Sequence, residues 1–284
     1  SDGEISVHFG ESVRGRDVFI IQSTCTPVND NLMELLIMID AMKRASAGRI
    51  NAVLPYYGYA RQDRKAKARD PITAKLVADI IVAAGADRVI TMDLHANQIQ
   101  GYFDIPVDHL FGMPILAKYF MDKNLDDLCV VSPDHGSVTR ARSLAEILNC
   151  PIAIIDKRRS RPNVVESMTV IGDVKDRNVI IVDDLVDTAG TLCKAALKLK
   201  ELGAKKIYAV ISHGVLSQNA IENINNSIID ELLITDSIPM GEKKSDKIKS
   251  LSLAPILSKV ILALEEGKSL SDAIGQYEQE NYGE

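Results

Sequence analysis

The stretch Val179–Thr191 reads VIIVDDLVDTAGT and combines an apolar run, an acidic cluster and a small turn. The four leading residues, Val179–Val182, are mostly β-branched and predict a buried strand that ends at the first carboxylate. A helix is expected to begin near Leu192, directly after the turn. Continuously apolar strands followed by helices are typical of parallel sheets that are covered on both faces. This stretch therefore predicts an α/β fold.

The same alternation of apolar runs and helical patterns recurs along the chain. Further candidate strands are Val18–Gln22, Ile50–Leu54, Arg88–Met92, Leu128–Val131, Ile152–Ile155 and Ile207–Ile211. Helical patterns lie at Asn31–Ser46, Ile72–Ala84 and Leu192–Leu202. A weak internal echo favours two similarly built halves, because Gly85-Ala86 and Gly203-Ala204 each lead through a strand to a histidine at the same spacing. We expect one domain at 1–107, with 266–284 packing on it, and a second at 108–265.

Composition limits the possible functions. The chain has 284 residues, of which 46% are hydrophobic and 25% charged, as is typical of a globular protein. The net charge of −6 argues against a general nucleic-acid binder, and no apolar run approaches the roughly 20 residues of a membrane span. The four cysteines form no CxxC motif, so a reducing cytoplasm is expected. Any anion site is expected to be a local basic cluster.

The acidic strand end and the turn suit two parts of one ligand. A turn at a helix N-terminus offers free backbone N–H groups and the positive end of the helix dipole, which favour a phosphate. Gly190 is expected to let the backbone approach that phosphate, and Thr188 and Thr191 add hydroxyl donors. The carboxylates are those of Asp183, Asp184 and Asp187. Because they would repel a phosphate, they are expected to face sugar hydroxyls or a phosphate-bound Mg²⁺. A plain acidic strand end with Thr188 as N-cap is the alternative, and the whole pattern favours a sugar phosphate.

A second strand end distinguishes between two families. VIIVDDLVDTAGT resembles the phosphoribosyl-pyrophosphate loop of both type I phosphoribosyltransferases and ribose-phosphate diphosphokinases. The run Asp93–Asp108 reads DLHANQIQGYFDIPVD and is similar to the diphosphokinases, whereas the transferases are not expected to carry it. A lone histidine at a strand end is usually structural, but His95 could also ligate a metal or contact phosphate. The resemblance implies two phosphoribosyltransferase-like domains with mainly parallel sheets.

Further similarities to the diphosphokinases cover most of the chain. They lie in SDGE (Ser1–Glu4), NDNLMELLIMIDA (Asn29–Ala41), PYYGYARQDRK (Pro55–Lys65), SPDHGSVTRAR (Ser132–Arg142) and IDKRRSRPN (Ile155–Asn163). The resemblance implies that ATP is bound by Asp2, Glu4, Arg61, Gln62 and His95. It implies catalytic roles for Lys157 and Arg159 and metal binding by His95 and Asp134. It implies ribose 5-phosphate binding by Asp183, Asp184, Asp187, Thr188, Ala189, Gly190 and Thr191.

Two basic clusters have an independent interpretation. Lys157, Arg158, Arg159 and Arg161 place four cations in five positions, and they would repel one another unless an anion such as a triphosphate were bound. The basic run Arg61–Arg69 is most often a solvated surface, although the neighbouring tyrosines would also suit a nucleotide.

The resemblance also implies a reaction and its regulation. The 1-hydroxyl of ribose 5-phosphate would attack the β-phosphorus of MgATP, giving AMP and 5-phosphoribosyl 1-diphosphate. The family implies Mg²⁺, a hexamer built from dimers, ATP sites shared between subunits, activation by inorganic phosphate and inhibition by ADP. Ser12, Arg14 and Gln100 match the positions implied for the regulatory anion. Neither a nucleic acid nor a membrane is expected as a partner.

Two departures from the family keep alternatives open. The family usually has two glycines where this chain has Gly136-Ser137, and a Cβ at Ser137 is expected to crowd a backbone held at positive φ. The family also begins with a strand and a helix ahead of SDGE, so a truncated start is expected. A type I phosphoribosyltransferase and a catalytically silent regulatory homologue are the alternative functions.

Overall fold

The computed structural model describes residues 2–158 and 167–282, and these form two compact units. The first unit comprises Ser1–Phe111 together with Ile256–Ala273, and the second comprises Gly112–Pro255 together with Ile274–Glu284. Among the described residues, no helix has the length and apolar character needed to cross a lipid bilayer.

The first unit is built on a four-stranded parallel sheet. Its strands are β1 (Asp17–Ile21), β2 (Arg49–Leu54), β3 (Arg88–Met92) and β4 (Val107–Leu110), hydrogen-bonded in that order. The helices between these strands are α1 (Val28–Arg44), α2 (Thr73–Ala84) and a 3₁₀ helix (Asn97–Tyr102). Leu35, Ile39 and Ile81 of the two α-helices join Leu54 in one buried core, which explains their apolar spacing.

The second unit is built on a seven-stranded sheet. Its strands are β5 (Leu128–Ser132), β6 (Ile152–Arg158), β7 (Ser167–Ile171), β8 (Asn178–Val186), β9 (Ile207–Gly214), β10 (Glu231–Thr235) and β11 (Ile248–Leu251). Their spatial order is β11-β10-β9-β8-β5-β6-β7, and β7 pairs antiparallel with β6 while the other pairs are parallel. The helices are α3 (Met113–Lys123), α4 (Val138–Ile147), α5 (Gly190–Glu201) and α6 (Ala220–Asn225). Towards the C-terminus follow α7 (Ala254–Glu265), most of which belongs to the first unit, and α8 (Leu270–Tyr282), most of which belongs to the second.

The central strand β8 is apolar because both of its faces are covered. Val179 and Ile181 pack in the core that contains Leu192 of α5, whereas Ile180 and Val182 pack in the core that contains Leu144 of α4. The prediction of an α/β fold with mainly parallel sheets is confirmed.

The sequence prediction was wrong about where β8 ends. The strand does not stop at Val182, because β8 continues to pair with β9 through Asp183 and as far as Val186. The following helix begins at Gly190, two residues before the predicted start near Leu192. Two of the three carboxylates are therefore part of a central strand, which limits how far they can move.

Candidate active site

The acidic residues of β8 lie at the carboxyl edge of the parallel sheet, where ligands usually bind in open α/β folds. Asp184 is buried with 5% of its surface exposed, and Asp183 is partly buried beside it. Asp183 Oδ1 accepts hydrogen bonds from Ser137 Oγ at 2.7 Å and from the Asp184 backbone N–H at 2.9 Å. A guanidinium nitrogen of Arg140 lies 4.0 Å from an Asp183 oxygen and 3.8 Å from an Asp184 oxygen. The guanidinium of Arg140 thus lies near both adjacent carboxylates.

This pair has an unusual protonation equilibrium. Desolvation by burial, and then the negative charge of Asp184, raise the pKa of Asp183 to about 7, while the hydrogen bond from Ser137 lowers it. A carboxylate held in this way gains from a hydroxyl donor or a cation that relieves the repulsion. The site therefore favours a neutral polyol or a bound metal over a second anion.

The turn after β8 has the geometry of an anion site at the start of α5. Ala189 is buried and adopts left-handed backbone angles, φ 61° and ψ −2°, immediately before the helix. The backbone carbonyl of Thr188 accepts a hydrogen bond from Asn223 Nδ2 at 2.9 Å, which fixes the turn from outside. Thr188 and Thr191 are exposed, so their hydroxyls reach solvent. The first N–H groups of α5 have no partner within the helix and are suited to bind an anion.

Gly190 leaves open space beside the turn. The left-handed residue of the turn is Ala189, and Gly190 lies outside that region of backbone angles. The nearest atom to a Cβ built on Gly190 would be Thr188 Oγ1, at 3.9 Å. The glycine therefore keeps the space beside the Thr188 hydroxyl clear, where a phosphate would lie.

Asp187 is held by a neighbouring loop. Ser217 Oγ donates a hydrogen bond to Asp187 Oδ1, and the Ser217 backbone N–H donates to the Asp187 carbonyl at 3.0 Å. Ser217 therefore fixes both the side chain and the backbone of Asp187, the third acidic residue of the motif.

Asp134 follows β5, the parallel neighbour of β8. Its Oδ1 accepts the backbone N–H of Ser137 at 3.0 Å, and its carbonyl accepts Ser132 Oγ at 2.6 Å. The expected crowding at Ser137 does not occur, because its φ is −92° and not positive. Sequence reasoning missed Ser137 and Arg140 as contributors, although both lie in the quoted SPDHGSVTRAR run.

Lys157 lies partly buried on β6, one residue beyond Asp156, which pairs with His135. In that pair the ring nitrogen Nε2 of His135 lies 3.0 Å from Asp156 Oδ1, which connects the Asp134 loop to β6. The second predicted catalytic residue, Arg159, lies outside the described residues.

The residues predicted to bind ATP lie in the first unit and are exposed: Asp2, Glu4, Arg61, Gln62 and His95. Asp2 Oδ1 accepts the backbone N–H of Glu4 at 3.2 Å across a turn in which Gly3 has φ 92°. Gln62 Oε1 accepts a hydrogen bond from Thr73 Oγ1 at the start of α2, so the loop is fixed to that helix.

The loop that carries His95 after β3 is fixed by hydrogen bonds to Leu110 and His109 of β4. Asp93 is buried with φ 40°, and its backbone N–H donates to the Leu110 carbonyl at 2.9 Å. The next amide, of Leu94, donates to His109 Nε2 at 2.9 Å. This backbone turn holds His95 at the carboxyl end of β3, where its side chain is exposed.

The predicted regulatory residues occupy two places in the first unit. Ser12 and Arg14 line a cavity of about 440 Å³ together with His8, Phe9 and Arg44. Gln100 lies in the 3₁₀ helix, where its side-chain amide donates to the Asn97 carbonyl at 3.1 Å.

The donor set for a metal is sparse. Within residues 2–158 and 167–282, no three histidine, cysteine, aspartate or glutamate side chains converge into a metal cluster. Mg²⁺ usually binds through one or two carboxylates together with waters and substrate phosphates. Asp134, fixed through one oxygen, fits that way of binding Mg²⁺.

Comparisons with known proteins agree along nearly the whole chain. Residues 1–85 match the profile described as the N-terminal domain of ribose phosphate pyrophosphokinase, and residues 158–274 match the phosphoribosyl synthetase-associated domain. The chain is 70% identical over 273 residues to the ribose-phosphate pyrophosphokinase of Caldanaerobacter subterraneus subsp. tengcongensis, and 67% identical over 275 residues to that of Clostridium perfringens. Each alignment covers 95% of this chain and 86% of the relative.

A solved structure extends this similarity to the fold. The crystal structure of phosphoribosylpyrophosphate synthetase from Mycobacterium smegmatis matches with a TM-score of 0.89 and 46% sequence identity. The match covers 94% of this chain and 88% of that chain.

Proposed function

The chain belongs to the ribose-phosphate pyrophosphokinase family and forms 5-phosphoribosyl 1-diphosphate from ribose 5-phosphate, and we propose how its residues carry out this reaction. The diphosphoryl donor is ATP, and AMP is the second product. The observation that supports this assignment most directly combines two features of one strand end. The carboxylate of Asp183 on β8 is held by hydrogen bonds, and the turn before α5 leaves backbone N–H groups for an anion.

Ribose 5-phosphate binds at this strand end in two parts. Its 5-phosphate accepts the first N–H groups of α5 and the hydroxyls of Thr188 and Thr191, beside the left-handed Ala189 and the clear space at Gly190. Its ring hydroxyls donate to the carboxylates. Those carboxylates are Asp183, Asp184 and Asp187. A hydroxyl donor is neutral. It can therefore hydrogen-bond to the carboxylates without adding charge beside Asp183 and Asp184, which repel each other.

The nucleotide binds through residues of the first unit. The adenine is contacted by Asp2 and Glu4, and the nucleotide further by Arg61, Gln62 and His95. These residues are exposed, so each one is expected to contribute modestly to ATP affinity.

Little covalent chemistry is required of the protein in such a transfer. The 1-hydroxyl of the bound ribose is positioned for in-line attack on the β-phosphorus, and Lys157 and Arg159 stabilise the negative charge that develops on the transferring group. Lys157 is suited to this role because β6 supports it on the sheet, next to the anchored Asp156.

The carboxylate of Asp134, after β5 in the second unit, is an oxygen donor of the kind that Mg²⁺ binds. His95, at the end of β3 in the first unit, is proposed as a Mg²⁺ ligand in its own unit, and in each case phosphates would supply further oxygens. When bound, Mg²⁺ would neutralise charge on the nucleotide phosphates.

Regulation, assembly and location complete the proposal. Inorganic phosphate activates and ADP inhibits by binding at Ser12, Arg14 and Gln100, of which the first two share a cavity with Arg44. The chain assembles as a hexamer built from dimers and works in the cytoplasm, in keeping with its four free thiols.

One assay tests the reaction. The protein is incubated with Mg²⁺, ATP, ribose 5-phosphate and inorganic phosphate, and AMP and the diphosphorylated sugar are quantified together. We expect both products in equal amounts. If folded protein yields no AMP, or releases pyrophosphate only when a nucleobase is added, the proposal fails.

A further inference from the structure

Ser137 has the sequence position of a helix cap but a different set of hydrogen bonds. It is the N-cap residue of α4, where a serine side chain usually accepts a backbone N–H of the first helical turn. Its side chain makes no such bond. Instead, its hydroxyl donates to Asp183 Oδ1 on β8 at 2.7 Å, across a separation of 46 residues. The hydroxyl is thus used for the carboxylate and not for the helix.

The same residue also holds a second carboxylate. Its backbone N–H donates to Asp134 Oδ1 at 3.0 Å, so Ser137 joins the carboxyl ends of the neighbouring strands β5 and β8. Ser137 is 4% exposed, which shields both bonds from competition by water. Hydrogen bonds to ionised acceptors are also stronger than those between neutral groups.

We propose that Ser137 is a positioning residue for the sugar phosphate, and that its hydroxyl fixes the rotamer of Asp183. This inference rests on the proposed binding of ribose 5-phosphate at β8. The terminal torsion of an aspartate is broad, so an unheld carboxylate samples many orientations. With Oδ1 engaged by Ser137 and by the Asp184 amide, Oδ2 keeps one direction from which it accepts a ribose hydroxyl. Ser137 itself touches no reacting atom.

The test separates the hydroxyl from the rest of the side chain. Ser137→Ala removes only the donor, and Ser137→Thr retains it. Affinity for ribose 5-phosphate is measured by calorimetry without ATP, and KM and kcat are measured by AMP formation. We expect Ser137→Ala to weaken affinity and raise KM for the sugar about tenfold, with kcat changed less than about twofold. Ser137→Thr should stay within about threefold of the unsubstituted protein.

A matched control uses another serine of the same helix. Ser143 is exposed on α4 and donates to the Thr139 carbonyl of its own helix, at 3.2 Å, so Ser143→Ala should leave sugar affinity unchanged. Thermal unfolding of each variant checks that it is folded. Equal sugar affinity in Ser137→Ala and the unsubstituted protein, or a Thr variant as weak as the Ala variant, would overturn the inference. If the unsubstituted protein binds no ribose 5-phosphate, the proposed site has failed instead. If Ser137→Ala does not fold, Ser137→Gly replaces it with the same expected loss.

Discussion

In the second unit, the carboxylates of β8 are held by other side chains, whereas in the first unit the residues assigned to the nucleotide are exposed. Asp183 is held by Ser137 and Asp187 by Ser217, so both acceptors are oriented before any ligand arrives. The side chains of Arg61 and His95 are instead exposed.

This difference has an energetic consequence. A site whose side chains are already ordered loses little conformational entropy on binding, so damage to one of its contacts appears directly as lost affinity. An exposed side chain must be ordered by the ligand, which offsets part of what its contacts contribute. We therefore expect single substitutions in the second unit to have larger effects than those in the first.

The largest effect is expected at Lys157, because charge stabilisation in the transition state depends on it. Lys157→Ala should lower kcat about 10²- to 10³-fold while the KM for ribose 5-phosphate changes less than about threefold. Steady-state assays with each substrate varied in turn measure both. Lys205→Ala is the control, since Lys205 pairs with Asp127 at the surface, 3.3 Å away. A pure loss of sugar affinity would contradict the assigned role.

The next largest effect is expected at Gly190, where the 5-phosphate of the sugar is proposed to bind. Gly190→Ala should raise the KM for ribose 5-phosphate about tenfold, because the new Cβ enters the space beside Thr188 Oγ1. The fold should tolerate it, since 3.9 Å is an ordinary contact distance and alanine favours helix more than glycine does. Gly275→Ala in α8 is the control, because the space around Gly275 is open. An unchanged KM would mean that the phosphate does not approach the turn here.

The sequence predicts β8, which is buried on both faces, but it misses the edge strands β4, β7 and β11 and also the buried strand β10. Val179–Val182 is apolar because two cores cover it, and that pattern is readable without a structure. The edge strands β7 and β11 lack such a run, because Lys249 and Ser250 of β11 face solvent and β7 is only half covered. Periodicity therefore could not reveal them.

The candidate site was also only partly predictable. The residue types proposed to bind the sugar phosphate follow from the local pattern VIIVDDLVDTAGT, since its carboxylates and its small turn are adjacent in the chain. The bond from Ser137 to Asp183 spans 46 residues, and the local rule for an N-cap serine predicts a different partner. The left-handed backbone of Ala189 was equally hidden, because glycine is the residue expected there.

A smaller effect, on thermal stability, is expected when the carboxylate of Asp183 is replaced. The folded-state pKa of Asp183 is about 7, above the roughly 3.9 of an unfolded aspartate. The folded state therefore binds more protons between these values, and its stability falls as pH rises from about 4 to 7. Asp183→Asn removes the charge that faces Asp184, Asp134 and Arg140. Without ligands, this variant should unfold roughly 2–4 °C above the unsubstituted protein at pH 7.5, and show a smaller difference at pH 5.

The control for that experiment is Asp126→Asn, because Asp126 is exposed. Its unfolding temperature should follow that of the unsubstituted protein at both pH values. If Asp183→Asn is less stable than the unsubstituted protein at pH 7.5, the carboxylate is stabilised by its hydrogen bonds more than it is destabilised by burial and Asp184.

The smallest effect is expected in the first unit, at the bond between Thr73 and Gln62. Thr73→Val keeps the shape of the side chain and removes the hydroxyl that holds Gln62 Oε1. Because this bond is exposed, its loss should raise the KM for ATP only about twofold to fivefold and leave the KM for ribose 5-phosphate unchanged. The same assay applied to Ser217→Ala, which removes the hydroxyl that donates to Asp187 in the second unit, should raise the sugar KM by a larger factor. If Thr73→Val has the larger effect of the two, the nucleotide-binding residues are as well ordered before binding as the sugar-binding residues. Exposure would then not indicate how much a residue contributes to affinity.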